Sequence, residues 1–284
     1  MKRVLALGFF DGVHLGHTAL IRRTAERARE LGAAPAVLTF DVHPDTLVQK
    51  TPVPLITSPA DRAELVRRLG VEEILSLRFD ETLMQMPWDR FVEWVQTEFS
   101  AVHLVCGHDF TFGWKGQGKP DLLKARAAEL GMGCDVIAKV DADGETVSST
   151  RIRRAVQNGD LTLAKSLLGR PYVITGVVQQ GDKRGRLLGF PTANLDVKNL
   201  VVPPLGVYKA KVGQFCAMAN LGCNPTFGVT EPRLEVHLFD FNGNLYGQTI
   251  SVELGAKLRD QKQFANVEEL KAQLAQDKIN ACLS

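Results

Sequence analysis

The chain has 284 residues, about twice the ~150 typical of one domain, so two globular domains are expected. Apolar residues make up 45% and charged residues 23%, a balance that supports a buried core and excludes general disorder. With 34 Lys and Arg against 32 Asp and Glu, the net charge of +2 excludes a global electrostatic drive toward nucleic acid or an anionic membrane.

No apolar run approaches the roughly 18 residues of a membrane span. Met1-Lys2-Arg3 and the apolar residues after it imitate a signal peptide, but they enter Phe10-Asp11-Gly12 without a small-residue cleavage site and read as a first strand. The five cysteines, Cys106, Cys134, Cys216, Cys223 and Cys282, are odd in number, with neither CxxC spacing nor the density of a disulfide scaffold. A reducing cytoplasm is expected, with no membrane or nucleic-acid partner and a monomer or weak self-association.

In chain order, Val4–Gly8, Ala34–Phe40, Glu73–Leu77, His103–Gly107 and Cys134–Val140 have the length and composition of buried strands. Amphipathic segments lie between them. Thr18–Leu31 carries a stripe of Leu20, Ile21, Ala25, Ala28 and Leu31, and Ser58-Pro59-Ala60-Asp61 and Pro120-Asp121 open two further helices. Gly32, Gly70 and Gly131 stand where helix ends need a left-handed residue. This alternation predicts a parallel sheet with helices on both faces and a ligand site beyond the strands' C-terminal ends. Residues 154–169 read as a helical connection. Beyond it, Tyr172–Val178, Val207–Val212, Leu234–Phe241 and Leu245–Leu254 predict an antiparallel sheet or small barrel, with a hairpin turn at Asn242-Gly243 and a last helix from about Val267 to Asp277.

The segment Gly8-Phe9-Phe10-Asp11-Gly12-Val13-His14-Leu15-Gly16-His17 follows the first strand and opens the first helix. Its glycines allow a sharp turn, helix amides favour phosphate, and His14 and His17 are close enough to serve one polyphosphate. HxxH also supplies two ligands of a zinc site, although no third ligand follows at metal spacing. Gly113-Trp114-Lys115-Gly116-Gln117-Gly118-Lys119 nearly completes a P-loop, but Pro120 stands where a hydroxyl is needed, so it reads as a mobile Gly-rich flap. In Leu234–Leu238 the alternation places Glu235 and His237 on one strand face, whether solvated or functional.

GFFDGVHLGH resembles the HxGH nucleotide-binding motif in the form carried by bacterial FAD synthetases. Further matches follow in order: Thr39-Phe40-Asp41-Val42-His43-Pro44, Gly107-His108-Asp109-Phe110-Thr111-Phe112-Gly113 and Val147-Ser148-Ser149-Thr150-Arg151-Ile152-Arg153. Val42 stands where that family commonly has Pro. The resemblance implies that Gly8, Phe10, Asp11, Gly12, His14, His17, Ser148, Ser149, Thr150 and Arg151 bind ATP, that His14, His17 and Arg151 are catalytic, and that Asp109 lies on the flavin side. By itself, the Ser/Thr run also fits an ordinary helix cap and Asp109 an ordinary turn.

In the second half, Gly181-Asp182-Lys183-Arg184-Gly185-Arg186-Leu187-Leu188-Gly189-Phe190 and Pro191-Thr192-Ala193-Asn194 resemble the riboflavin kinase signature. Asn220–Thr226, Leu234–Leu238 and Leu258-Arg259-Asp260 are further matching blocks. The resemblance implies phosphate binding by Gly181, Lys183, Gly185 and Gly189, Mg2+ held by Thr192 and Asn194, Glu235 as base and flavin ligand, and Arg259 on the flavin. Taken together, the motifs predict a Rossmann-like FAD synthetase domain over 1–160 and an antiparallel β-barrel riboflavin kinase domain with a terminal helix over 161–284. The expected activity converts riboflavin to FMN and FMN to FAD, with ATP and Mg2+ consumed as co-substrate and cofactor and FMN and FAD as product ligands. A nucleotidyltransferase with another acceptor and a flavin-binding protein without turnover are the competing expectations.

Overall fold

A computed structural model describes residues 1–179, 192–223 and 232–282, which divide into two compact units, Met1–Ser149 and Thr150–Ser284. In the first, strands β1 (Arg3–Leu7), β2 (Ala34–Phe40), β3 (Glu73–Leu77), β4 (Ala101–Gly107) and β5 (Gly133–Ile137) form one parallel sheet in the order β3-β2-β1-β4-β5. Both faces are covered, as the unbroken apolar runs require. Val4, Ala6, Val37 and Val105 meet Leu20, Ile21, Ala28 and Val66 on one face. Leu5, Leu7 and Leu104 meet Phe91, Val92, Val95, Leu123 and Ala127 on the other.

The start and stop signals hold. Helix α1 (Leu15–Leu31) ends where Gly32 takes φ 59°, and Ser58 Oγ accepts from Asp61 N–H at 3.1 Å to cap the helix Pro59–Arg68. The Gly113–Lys119 segment, expected as a Gly-rich flap, is anchored at its ends: a Cβ at Gly113 would lie 2.6 Å from Trp88 Cα, Trp114 N–H donates to Met86 C=O at 2.7 Å and Phe112 pairs with Gly118, while the side chains of Trp114, Lys115 and Gln117 between them are exposed.

Beneath this sheet a charge cluster ties α1 to β5. Asp135 accepts from Arg23 Nε at 2.7 Å and Arg27 Nε at 2.9 Å, with His103 Nε2 at 3.4 Å. Burial raises the Asp135 pKa, but the bonds from Arg27 and Arg23 overcome it and bring it to about 2. Burial likewise lowers the His103 pKa, against the pull of Asp135. Both folded-state values lie below their unfolded ones, so this stabilisation is present at neutral pH and lost as pH falls, for Asp135 between the ordinary carboxylate value and about 2. Asp135→Asn is expected to cost about 2 kcal/mol at pH 7, with the difference from wild type closing in acid. Urea unfolding at pH 7 and pH 3 measures it; an unchanged difference refutes the linkage.

The second unit is a six-stranded, nearly closed antiparallel barrel. Strands β8 (Tyr172–Val177), β9 (Ala193–Asp196), β10 (Gly206–Val212), β11 (Phe215–Cys223), β12 (Pro232–Leu238) and β13 (Thr249–Arg259) run in the order β8-β13-β10-β11-β12-β9, with the two-residue strands β6 (Asp141–Ala142) and β7 (Glu145–Thr146) lying before it in the chain. The two edges meet where Gln179 N–H donates to Asn194 C=O at 2.9 Å. Tyr172, Ile174, Leu195, Tyr208, Ala219, Leu221, Leu234, Val236 and Val252 are buried apolar side chains of these strands. The terminal helix, Val267–Cys282, lies against Val207, Met218 and Phe239 through Leu274 and Ala281.

Four departures from the sequence expectations stand out here. The tight turn lies at Gly213-Gln214, between the paired residues Val212 and Phe215, and not at Asn242-Gly243. The strands before and after Asn242 are not neighbours, because β12 pairs with β11 and β9 while β13 pairs with β10 and β8. Residues 239–248 therefore form a crossing connection, with left-handed backbone at Asp240 and Gly247. The strands at Ala193–Asp196 and Phe215–Cys223 were not anticipated, and the last helix continues to Cys282. Cys216 and Cys282, 66 residues apart, are joined as a disulfide with Cα atoms 5.9 Å apart, a pairing no local spacing announced.

Candidate active sites

The first site begins at the C-terminal end of β1. There the backbone enters left-handed geometry at Phe10 (φ 60°), Gly12 (φ 83°) and Val13 (φ 39°). Glycine takes this conformation freely, but a β-branched valine and a phenylalanine are strained, at a cost of about 1–3 kcal/mol each. The surroundings hold the strain in place. Phe10 and Val13 are buried. Both Asp11 carboxylate oxygens accept from Ile56 N–H at 3.0 Å, Thr57 N–H donates to Asp11 at 3.1 Å, and Gly12 N–H donates to Thr57 Oγ at 3.1 Å. From beneath, Arg62 donates to Phe9 C=O at 2.9 Å and Phe40 C=O at 3.1 Å, its guanidinium 4.3 Å from the Phe9 ring. Burial pulls the Arg62 pKa down, with the charge of Asp11 opposing.

The tightened turn delivers His14 as the N-cap of α1, its Nδ1 accepting from His17 N–H at 3.3 Å. In the neutral ring this puts the proton on Nε2. His14 and His17 stack at 3.6 Å and 17°, and the Phe10 ring meets His17 edge-on at 5.2 Å. No acidic residue occupies the first turn of α1, so its amide dipoles favour an anion. Among the described residues, no group of three His, Cys, Asp or Glu is placed to hold a metal, so the zinc alternative gains no third ligand.

The Ser/Thr segment comes to the same turn: Ser149 Oγ donates to Asp11 C=O at 2.9 Å. Thr150 and Arg151 follow in the first turn of the helix Ser149–Gln157, with Ser148 just before it. Gly8 lies close under Phe10, whose ring is 3.0 Å from where a Cβ would stand. Asp109 is exposed after β4, with its carboxylate 4.0 Å from His108 Nδ1. The sequence reading did not single out Arg62; a lone arginine on an amphipathic helix carries no local sign that it is buried.

The second site is a row across the outer face of the barrel. In register, Asn194 on β9 pairs with Glu235 on β12, Glu235 with Asn220 on β11, Asn220 with Val207 on β10, and Val207 with Arg259 on β13. Directly opposed residues share a face, so Asn194, Glu235, Asn220 and Arg259, far apart in sequence, stand in one line. His237 and Met218 form the next pair on that face. Leu234 and Val236 point into the core, as the alternation predicted, while Glu235 is exposed.

The terminal helix turns this face into a cavity of about 200 Å3, lined by Thr192, Asn220, Glu235, His237 and Arg259 and roofed by Leu270 and Leu274. Thr192 also lines a neighbouring cavity of about 400 Å3 with Phe241 and Tyr246. Among the described residues, Thr192 lines both cavities. Gln261 Nε2 donates to Asn220 Oδ1 at 3.2 Å. The Asn220 block was noticed in the sequence without a role; only strand register places it beside Glu235. Gly181, Lys183, Gly185 and Gly189 lie outside the described residues.

The FAD synthetase family model matches residues 1–151, and the riboflavin kinase family model matches residues 168–283. Over 99% of its length the chain is 40% identical to the bifunctional riboflavin kinase/FMN adenylyltransferase of Bacillus subtilis (strain 168), covering 92% of that protein. To the protein of the same name from Haemophilus influenzae it is 38% identical, over 96% of this chain and 91% of that one. A crystal structure described as a macrolide-efflux protein from Streptococcus pneumoniae has a TM-score of 0.86 and 34% identity, covering 100% of this chain and 95% of that one. No helix among the described residues is long and apolar enough to cross a membrane.

Proposed function

The chain belongs to the bifunctional riboflavin kinase/FMN adenylyltransferase family, and we propose that its two units perform the two reactions with the residues gathered at the two sites. It phosphorylates riboflavin with ATP to FMN and adenylylates FMN with a second ATP to FAD.

In the kinase unit, Glu235 takes the proton of the ribityl 5′-hydroxyl as that oxygen attacks the γ-phosphorus. A carboxylate on a rigid strand, within reach of the acceptor, is the positioning that phosphoryl transfer needs. Riboflavin occupies the cavity of Arg259 and Asn220, and the nucleotide enters from the cavity of Phe241 and Tyr246. They meet at Thr192, and this shared wall is the observation that carries the reading. Phosphate binding by Gly181, Lys183, Gly185 and Gly189 is assigned from the resemblance of their segment to the riboflavin kinase signature. The Asn194 amide, in register with Glu235, and the Thr192 hydroxyl, which lines the same cavity as Glu235, offer the all-oxygen chemistry of a hard cation, so these residues fit Mg2+. When bound with ATP, the ion supplies neutralisation of phosphate charge.

In the adenylyltransferase unit the FMN phosphate is already an anionic nucleophile. It attacks the α-phosphorus of ATP and displaces pyrophosphate, a step that requires no general base. Gly8, Phe10, Asp11 and Gly12 shape the cradle, with Asp11 acting through the loop at Ile56 and Thr57. His14, His17, Arg151 and the hydroxyls of Ser148 and Thr150 receive the charge that builds on the leaving pyrophosphate, while Ser149, whose hydroxyl donates to Asp11 C=O, ties this ATP-binding segment to the cradle. Asp109 faces the flavin side. The enzyme works in the cytoplasm as a monomer or weak self-associate, without nucleic acid or membrane as a partner.

Chromatography of riboflavin, FMN and FAD after mixing the protein with riboflavin, ATP and magnesium tests the scheme. FMN is expected to rise first and then decline as FAD accumulates. Conversion of added FMN with riboflavin untouched removes the kinase assignment, and conversion of neither leaves a flavin-binding protein or a different acceptor.

A further inference from the structure

The terminal helix brings a second carboxylate to the kinase face. Asp277 is 1% exposed, yet it is ringed by donors. Arg259 Nε donates to Oδ1 at 3.1 Å and Oδ2 at 3.0 Å, Arg259 Nη2 donates to Oδ2 at 2.7 Å, and Gln273 Nε2 donates to Oδ1 at 2.9 Å. A buried carboxylate is tolerated only when paired this fully. The two-point fork fixes the guanidinium in rotation as well as position, which a single contact does not. Arg259 Nη1 is held in turn by Asp260 C=O at 3.1 Å. Of the five guanidinium N–H groups, these bonds leave one on each terminal nitrogen for the cavity that Arg259 lines, with the Phe264 ring 5.8 Å from Cζ.

We infer that Asp277 is a positioning residue of the kinase, which orients Arg259 toward riboflavin and so makes the terminal helix a working wall of the acceptor site. This rests on the placement of riboflavin at Arg259 proposed above. Asp277 does not touch substrate; it acts through the arginine. Losing its charge lets the guanidinium turn toward other acceptors, weakening the flavin end of the site while the nucleotide end at Thr192, Phe241 and Tyr246 stays intact.

The full chain carrying Asp277→Asn, Asp277→Glu or Arg259→Gln, and the Asp277→Asn/Arg259→Gln double variant, is assayed for the riboflavin KM, the ATP KM and kcat of FMN formation. FMN-to-FAD conversion serves as an internal measure of active protein. Asp277→Asn is expected to raise the riboflavin KM about tenfold with the ATP KM unchanged, Asp277→Glu to restore it to within about threefold, and the double variant to be no worse than Arg259→Gln alone. A normal riboflavin KM in Asp277→Asn, with a raised one in Arg259→Gln, overturns the inference and leaves the pocket assignment standing. A normal riboflavin KM in Arg259→Gln overturns both. Equal rises in the two KM values, or loss of the kinase unit's thermal transition in both Asp277 variants, makes the pair a structural staple and also overturns the inference.

Discussion

Glu235→Gln is expected to abolish FMN formation, by roughly a thousandfold, while leaving FMN-to-FAD conversion at its wild-type rate. General-base removal costs about 10²–10⁴ in rate, and the neutral amide accepts no proton. Folding gives little reason for a loss, because Glu235 is exposed while its strand neighbours Leu234 and Val236 fill the barrel interior. The two half-reactions, assayed separately on one preparation by chromatography, distinguish the outcomes. Equal loss of both activities refutes separate sites, and a normal kinase rate removes Glu235 from the chemistry.

His17→Ala is expected to do the converse, with FMN accumulating from riboflavin and FAD formation falling about a hundredfold. One well-placed donor to a developing oxyanion is worth about 10²–10³ in rate. His17 is the cleaner of the two histidines to test, because the His14 ring also caps α1 through His17 N–H. His14→Ala therefore adds a stability cost of about 1 kcal/mol to its catalytic one. Quantifying FMN and FAD against time with a thermal melt on each variant separates the two effects. Wild-type FAD output from His17→Ala rules out its proposed role.

Strong local signals account for most of what was legible. The unbroken apolar runs of β1, β2 and β4 can only be buried on both faces, which implies a parallel sheet with helices on each side. Ser58, Pro59 and Gly32 mark helix ends through bonds made within a few residues. The phosphate turn was visible for the same reason, since His14 and His17 are neighbours on one helix turn. Conversely, Asn242-Gly243 is a sound local turn signal that strand pairing overrode, and Phe215–Cys223 showed no clean alternation to declare it a strand.

The sequence by itself determined the two fold classes, the motif-bearing turn after β1 and the strand face that carries Glu235, because each depends on period, propensity or a contact within one turn. Tertiary structure alone decided that Asn194, Glu235, Asn220 and Arg259 form one row, since register across five strands is set by packing of the whole barrel. It also decided the burial of Arg62 under Phe9, the seating of Asp277 on Arg259 and the joining of Cys216 to Cys282. Each couples residues from separate elements, and their meeting depends on where the intervening chain is packed rather than on the residues beside them.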